Sequence, residues 1–164
     1  MASKVLKLKE LVQTIWNLRE SGKSIVFTNG CFDILHVGHV RYLTAARSEG
    51  DVLVVGLNSD ESVRSIKPEN RPIVNQNQRA EVLAGLECVD YITVFNEPDP
   101  LKVIKELKPD ILVKGADWIE KEIIGADIVK ANGGKVVRVP VVHEVSTSRI
   151  IQRIARRYQP WDGE

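Results

Sequence analysis

"VFTNGCFDILHVGHVRYL", residues 26–43, passes from one hydrophobic rhythm to another. An unbroken apolar run ends at Thr28, Asn29 and Gly30, the chain turns through Cys31, Phe32 and Asp33, and from about Val37 apolar residues recur at helical spacing. Strand, turn and helix therefore follow one another directly. A helix entered in this way aims its N-terminus at the carboxyl end of the strand it leaves. His36 and His39, two of only three histidines in the chain, fall on its first turn.

The same strand signal recurs along the chain. "SIVFTNG" (24–30), "DVLVVGLN" (51–58), "DYITVFN" (90–96), "DILVKG" (110–115) and "KVVRVPVV" (135–142) are β-branched runs, most bounded by Gly, Asn or Asp. They lack the alternation of a strand with one wet face, as expected for parallel strands covered on both sides. Helical segments lie between them. Residues 4–20 carry Val5, Leu8, Leu11, Val12, Ile15 and Leu18 near helical period, Asp99-Pro100 offers an N-cap and a first-turn proline, and Asn75 with Gln78 resembles a capping box. The alternation predicts an α/β fold, a Rossmann-like doubly wound sheet of five mainly parallel strands with helices on both faces. Its ligands would bind at the carboxyl ends of the strands, where strand order reverses.

Bulk properties narrow the function. A chain of 164 residues with 43% hydrophobic content is expected to form one domain, 1–164, with residues 1–22 as an N-terminal helix on the core and 159–164 as a frayed tail. With 23 basic and 22 acidic side chains the net charge is +1, so neither nucleic acid nor a membrane surface is an expected partner. Anionic ligands would have to be caught locally. Two cysteines make no disulfide scaffold, and the charged N-terminus contains neither a signal peptide nor a spanning segment, which points to the cytoplasm.

A helix N-terminus supplies unpaired amide donors and a partial positive charge, both suited to phosphate. Gly30 and Gly38 permit close approach of backbone and ligand, and His36 and His39, three residues apart, share one side of the first turn. The competing readings are ordinary surface histidines or a zinc pair. A zinc pair would need further ligands, and Cys31 and the distant His143 are poor candidates without an HExxH or paired CxxC pattern, so no protein-bound metal is expected.

"GCFDILHVGH" resembles the nucleotide-binding signature of the cytidylyltransferase-like nucleotidyltransferases, and "NSDESVRSIK", "NQRAEVLAGLECVDYI", "KPDILVKGADW" and "VSTSRII" follow the plan of that superfamily in order from about residue 24. "RPI" and "GADIVKANGGKVVRVP" narrow the resemblance to adenylyltransferase domains that make ADP-heptose for lipopolysaccharide precursors. The resemblance implies the HUP-like fold, ATP and a sugar 1-phosphate as substrates, and Mg²⁺ carried mainly by the nucleotide. It implies His36, His39 and Lys67 as catalytic residues that hold phosphoryl oxygens.

It further implies nucleotide contacts from Thr28, Asn29, Gly30, Cys31, Phe32, Gly38, Gly115, Asp117, Trp118, Ser146, Thr147 and Ser148, with Asp33 and Arg79 on the substrate side. From the residues themselves the alternatives are plainer: Asp33 as a turn-stabilising residue, Arg79 as an outward helix arginine, Lys67 as a solvated lysine, Cys31 as a small buried residue, Trp118 as a packing side chain, and Ser146 as an N-cap alone. Val141 and Glu144 depart from patterns common in relatives, which leaves Arg149 as a candidate cation for pyrophosphate. A homodimer and a separate heptose kinase are expected by the same resemblance. A cytidylyltransferase acting on glycerol 3-phosphate and a non-catalytic nucleotide sensor are the alternative functions. A class I aminoacyl-tRNA synthetase fragment is excluded because the chain has no KMSKS-like segment.

Overall fold

Three aspartates, Asp51, Asp90 and Asp110, stand immediately before apolar runs. In the computed structural model, which describes residues 4–68, 70–140 and 145–158, each of them caps the start of a neighbouring strand. Asp110 accepts from the Ile25 amide at 2.8 Å, Asp90 from the Leu53 amide at 2.7 Å and Asp51 from the Ser24 amide at 2.9 Å. A strand's first amide otherwise lacks a ladder partner, so these carboxylates mark where the strands begin.

The strands are β1 (Ile25–Gly30), β2 (Val52–Asn58), β3 (Tyr91–Phe95), β4 (Ile111–Gly115) and β5 (Lys135–Val139), in the spatial order β3-β2-β1-β4-β5. All four pairings are parallel, so the expected doubly wound sheet is parallel throughout. Strand order reverses at β1, and the crevice of the switch point opens between the ends of β1 and β4.

The helices are α1 (Leu8–Glu20), α2 (Val37–Arg47), α3 (Asp60–Ile66), α4 (Gln76–Ala84), α5 (Leu101–Leu107), α6 (Ala126–Ala131) and α7 (Thr147–Arg157). Alternate strand residues face opposite layers. Phe27, Val54 and Leu112 join Leu11 and Ile15 of α1, Ile104 of α5 and Val129 of α6 in one core. Val26, Leu53, Ile111 and Val113 join Leu43 and Ala46 of α2 and Leu83 of α4 in the other. Fully buried aliphatic and aromatic side chains such as these contribute about 1.5–3 kcal/mol each relative to exposure. Buried polar side chains are rarer, and most lie toward the carboxyl ends of the strands: Thr28, Asp33, Asn58, Ser59, Ser62, Arg79 and Thr147.

Several boundaries differ from the sequence reading. The first helix begins at Leu8 and not at residue 4, because the preceding residues pair with the outer edge of β3: the Leu6 amide donates to the Ile92 carbonyl at 2.9 Å, and the Ile92 amide to the Lys4 carbonyl at 2.8 Å. An exposed strand edge has free donors and acceptors, and this short segment satisfies them. Helix α5 starts one residue later than its cap signal indicates, with Asp99 accepting from the Leu101 amide and Pro100 at the N-cap position. Strand β5 ends at Val139, and residues 141 and 142 of the expected strand lie outside the described residues. Asn75 caps α4 as read, accepting from the Gln78 amide at 3.0 Å. Both cysteines are free, and among the described residues no helix is long and apolar enough to cross a membrane.

Candidate active site

The site grows from the turn between β1 and α2. His36 is the N-cap residue of α2 with extended backbone, and its carbonyl accepts from the His39 amide at 2.9 Å. The tight first turn stacks the two imidazoles, their ring centroids 3.8 Å apart and their planes 23° from parallel. Phe32 meets the His39 ring edge-on at 5.2 Å. Phe32 has a left-handed backbone, φ +44°, and its ring folds back over Gly30, where a Cβ would come within 2.9 Å of it. Gly30 is therefore the residue that lets Phe32 buttress His39.

The Nδ1 atoms of both histidines are buried and have no hydrogen-bond partner among the described residues. Burial lowers the pKa of His36, and burial followed by the neighbouring His36 lowers that of His39 to about 4. Both rings are thus neutral near pH 7, each with a buried polar atom that has no partner among the described residues. The unfolded chain takes up a proton at His39 near pH 6.5 and the folded chain only near pH 4, so the unfolded state binds more protons between those values. The expected result is that stability falls as the pH drops through that window, by at most about 3 kcal/mol from His39. Denaturant midpoints at pH 7 and pH 4.5 check this: the drop should be smaller in His39→Gln, and an equal drop in both proteins would contradict it.

A second helix N-terminus adjoins the first. The Thr147 hydroxyl reaches the Ile34 carbonyl at 3.4 Å, and a Cβ on Gly38 would lie 3.2 Å from Val145 Cγ1 and 3.0 Å from the His36 ring. Gly38 thereby permits α7 to approach α2. Ser146 caps α7, accepting from the Arg149 amide at 3.2 Å, and Ser148 is exposed beside it. Neither α2 nor α7 has an acidic residue in its first turn, whereas α3 has Asp60 and Glu61. Two uncompensated helix N-termini and two neutral imidazoles at the strand ends form a setting for a polyphosphate.

Lys67 follows α3 as its C-cap, its amide donating to the Val63 carbonyl at 2.9 Å, while its exposed ammonium has no hydrogen bond or ion pair to the described residues. Its charge reaches Cys31, a half-buried thiol and not the buried one read from sequence. Burial nevertheless pushes that thiol up, against the opposing pull of Lys67, Arg79 and Arg71. Gly115 is buried at the end of β4, with Asp117 exposed in the turn after it. Trp118 is 48% exposed and so is no core residue, and its backbone is fixed by the Gly115 carbonyl and by Arg138.

Three residues expected at ligand contacts make hydrogen bonds within the protein. Thr28 is fully buried, its hydroxyl 2.7 Å from the Tyr42 hydroxyl, which in turn donates to the Val113 carbonyl. Asp33 is buried and accepts from the Ile73 and Val74 amides at 2.8–2.9 Å and from Arg71. Burial draws its carboxyl upward, but the Val74 and Ile73 amides and Arg71 outweigh this and hold it below the usual carboxylate range. Asp33 thus stabilises the turn, as its residue type suggests. Arg79 is not an outward arginine. At 2% exposure it donates to the Val74, Cys31 and Asn58 carbonyls and to Asp60, tying the turn after β1 to the end of β2.

Lys114 was missed. It stands on β4 at the switch point, donates to Asn29 Oδ1 and lies 5.8 Å from the centre of the Trp118 ring. The signal was a lysine inside the otherwise apolar run "DILVKG". Val141, His143 and Glu144 lie outside the described residues.

By its fold the molecule is a doubly wound, parallel α/β domain with its candidate site at the carboxyl edge of the sheet. Residues 27–153 match the family model described as cytidylyltransferase-like, and the chain belongs to that family of nucleotidyltransferases. It is 51% identical over 156 residues to the bifunctional protein HldE of Citrifermentans bemidjiense and 49% identical over 156 residues to that of Geobacter sulfurreducens. Each match covers 95% of this chain and 32% of the relative, so the chain spans about a third of the length of these curated relatives. Among solved structures, a lipopolysaccharide core biosynthesis protein from Thermoplasma volcanium superposes with a TM-score of 0.64 at 34% identity, covering 74% of this chain and 99% of that one. A pantoate-β-alanine ligase from Francisella tularensis, at 17% identity and a TM-score of 0.55, covers 99% of this chain and 82% of its own and shares the fold.

Proposed function

We propose that the domain transfers AMP from ATP to D-glycero-β-D-manno-heptose 1-phosphate, giving ADP-heptose and pyrophosphate for surface-glycan synthesis. The observation that carries this reading is the meeting of the stacked, neutral His36–His39 pair with two acid-free helix N-termini, in a chain about half identical to the HldE proteins over nearly its whole length. The choice of adenine and heptose comes from "RPI" and "GADIVKANGGKVVRVP" and their resemblance to ADP-heptose-forming domains.

The chemistry suits such a site. An oxygen of the acceptor phosphate, ionised at neutral pH, forms a bond to the α-phosphorus as the bond to the pyrophosphate oxygen breaks, and no proton has to be removed from the nucleophile. Catalysis then rests on alignment and on donors aimed at oxygens whose charge rises during transfer. His36 and His39 would donate to phosphoryl oxygens, the α7 N-terminus with Ser146 and Ser148 would hold the far phosphates, and exposed Lys67 would swing onto the α-phosphate or the acceptor. Among the described residues no three histidine, cysteine, aspartate or glutamate side chains converge, so they build no cage for the Mg²⁺ implied by the family. That ion would enter on the triphosphate and neutralise its oxygens. The sugar 1-phosphate must come from a kinase reaction that phosphorylates the anomeric hydroxyl, and two copies of the domain are expected to pair.

Pyrophosphate release by the purified protein tests the reading, with ATP or CTP paired with heptose 1-phosphate or glycerol 3-phosphate. Release with ATP and heptose 1-phosphate alone is expected. Release only with CTP and glycerol 3-phosphate would replace the substrates, and ATP binding without release from any pair would favour the nucleotide sensor.

A further inference from the structure

Parallel register places five residues level with one another at the carboxyl end of the sheet. Asn29 of β1 is paired with Gly56 of β2, Lys114 of β4 with Arg138 of β5, and the Phe27–Leu112 pairing, continued by two residues, sets Asn29 beside Lys114. By alternation this row shares the face of Phe27 and Leu112, whereas Thr28 and Val113 face α2 through Tyr42. Thr93 of β3, paired with Gly56, completes the row, which holds two cations, one amide, one hydroxyl and a glycine, and no carboxylate. Gly56 has no room for a side chain, since a Cβ there would lie 2.8 Å from Phe27 Cζ.

Arg138 is exposed and turned to the Trp118 carbonyl at 3.3 Å. Lys114 is different. It is partly buried, donates to Asn29 Oδ1, and pairs with no carboxylate among the described residues. An ammonium has three donors, and a partly buried cation without a counter-charge is costly. Burial accordingly pushes the Lys114 pKa down to about 8. A fold carries such a group most readily where an anion comes to it.

We propose that Lys114, steadied by Asn29, binds the phosphate of the acceptor sugar phosphate. This rests on the reading of the site as a nucleotidyltransferase centre and extends it. The triphosphate is assigned there to the N-termini of α2 and α7, on the α2 side of the sheet edge. Lys114 rises from the opposite face. In-line transfer needs the incoming phosphate and the departing pyrophosphate on opposite sides of the α-phosphorus, and anchors on opposite faces of one sheet edge provide for that. Neighbouring Arg138 and the absence of an acid in the row favour a dianionic phosphate ester over a neutral group.

The test compares wild type with Lys114→Met and Lys114→Arg in pyrophosphate release, with ATP binding measured separately by calorimetry. Lys114→Met should raise KM for the sugar 1-phosphate tenfold or more, leave ATP binding within about twofold, and be largely rescued by Lys114→Arg. Weakened ATP binding with an unchanged acceptor KM would assign the cation to the nucleotide and overturn the proposal, as would unchanged values for both. If Lys114→Met does not fold, Lys114→Gln, which keeps a polar head for Asn29, takes its place. If wild type releases no pyrophosphate from any pair, the functional reading fails separately. Binding of inorganic phosphate by wild type and variant then decides on Lys114: loss in the variant supports an anion site, and equal binding refutes it.

Discussion

His36→Ala and His39→Ala each lower turnover at saturating substrate by about a hundredfold or more, in the range of about 2.7–4 kcal/mol typical of a lost transition-state donor. The expectation follows from geometry. The rings are stacked at 3.8 Å, buttressed by Phe32, and both leave a buried Nδ1 without a protein partner. A polar atom so placed destabilises the folded chain unless a ligand uses it, so its removal should cost the protein little stability. Steady-state kinetics together with thermal unfolding separate the two effects. A variant with near-normal turnover would remove the histidines from the chemistry, and a loss confined to KM for ATP would make them ground-state contacts.

Arg79→Ala is expected to act the other way, on folding first. Its guanidinium joins Asp60 at 2.7 Å, the Asn58 carbonyl at 2.8 Å and the Val74 carbonyl at 2.9 Å, with a further bond to Cys31. Removing one partner of a buried pair costs about 3–5 kcal/mol, because the remaining groups stay buried and unpaired. For a domain of this size that lowers the melting temperature by roughly 6–20 °C. Arg79→Lys would not restore it, since an ammonium cannot reproduce a planar fork with donors in fixed directions. A variant that melts normally while KM for the acceptor rises would return Arg79 to the substrate role its motif suggests.

These two arginine and histidine cases differ in how far the sequence could be read. The histidines sit within a local strand-turn-helix unit, so their meeting follows from spacing along one segment. Arg79 lies on a helix whose exposed neighbours, Gln78 and Glu81, make it look outward; its acceptors come from three other segments that only the tertiary fold assembles. Asp33 is hidden in the same way, since Arg71 and the Ile73 and Val74 amides approach it from about forty residues on.

The strands were legible because buried parallel strands are continuous apolar runs, and the aspartates before three of them were visible as boundaries. The start of α1 was not, because pairing of residues 4–6 with the edge of β3 competes with a helical pattern and satisfies groups the pattern does not reveal. Lys114 was in plain view within "DILVKG". Reading that run as core concealed what a lone cation at a strand end implies.

The most direct test of the central claim is to follow the oxygens. Heptose 1-phosphate carrying ¹⁸O in its non-bridging phosphate positions is incubated with ATP, Mg²⁺ and the protein, and the products are resolved by mass spectrometry. Attack of the acceptor phosphate on the α-phosphorus predicts ADP-heptose that retains every labelled oxygen and pyrophosphate that contains none. Label in pyrophosphate, or ADP with a doubly phosphorylated sugar in place of ADP-heptose, would contradict nucleotidyl transfer to the acceptor phosphate.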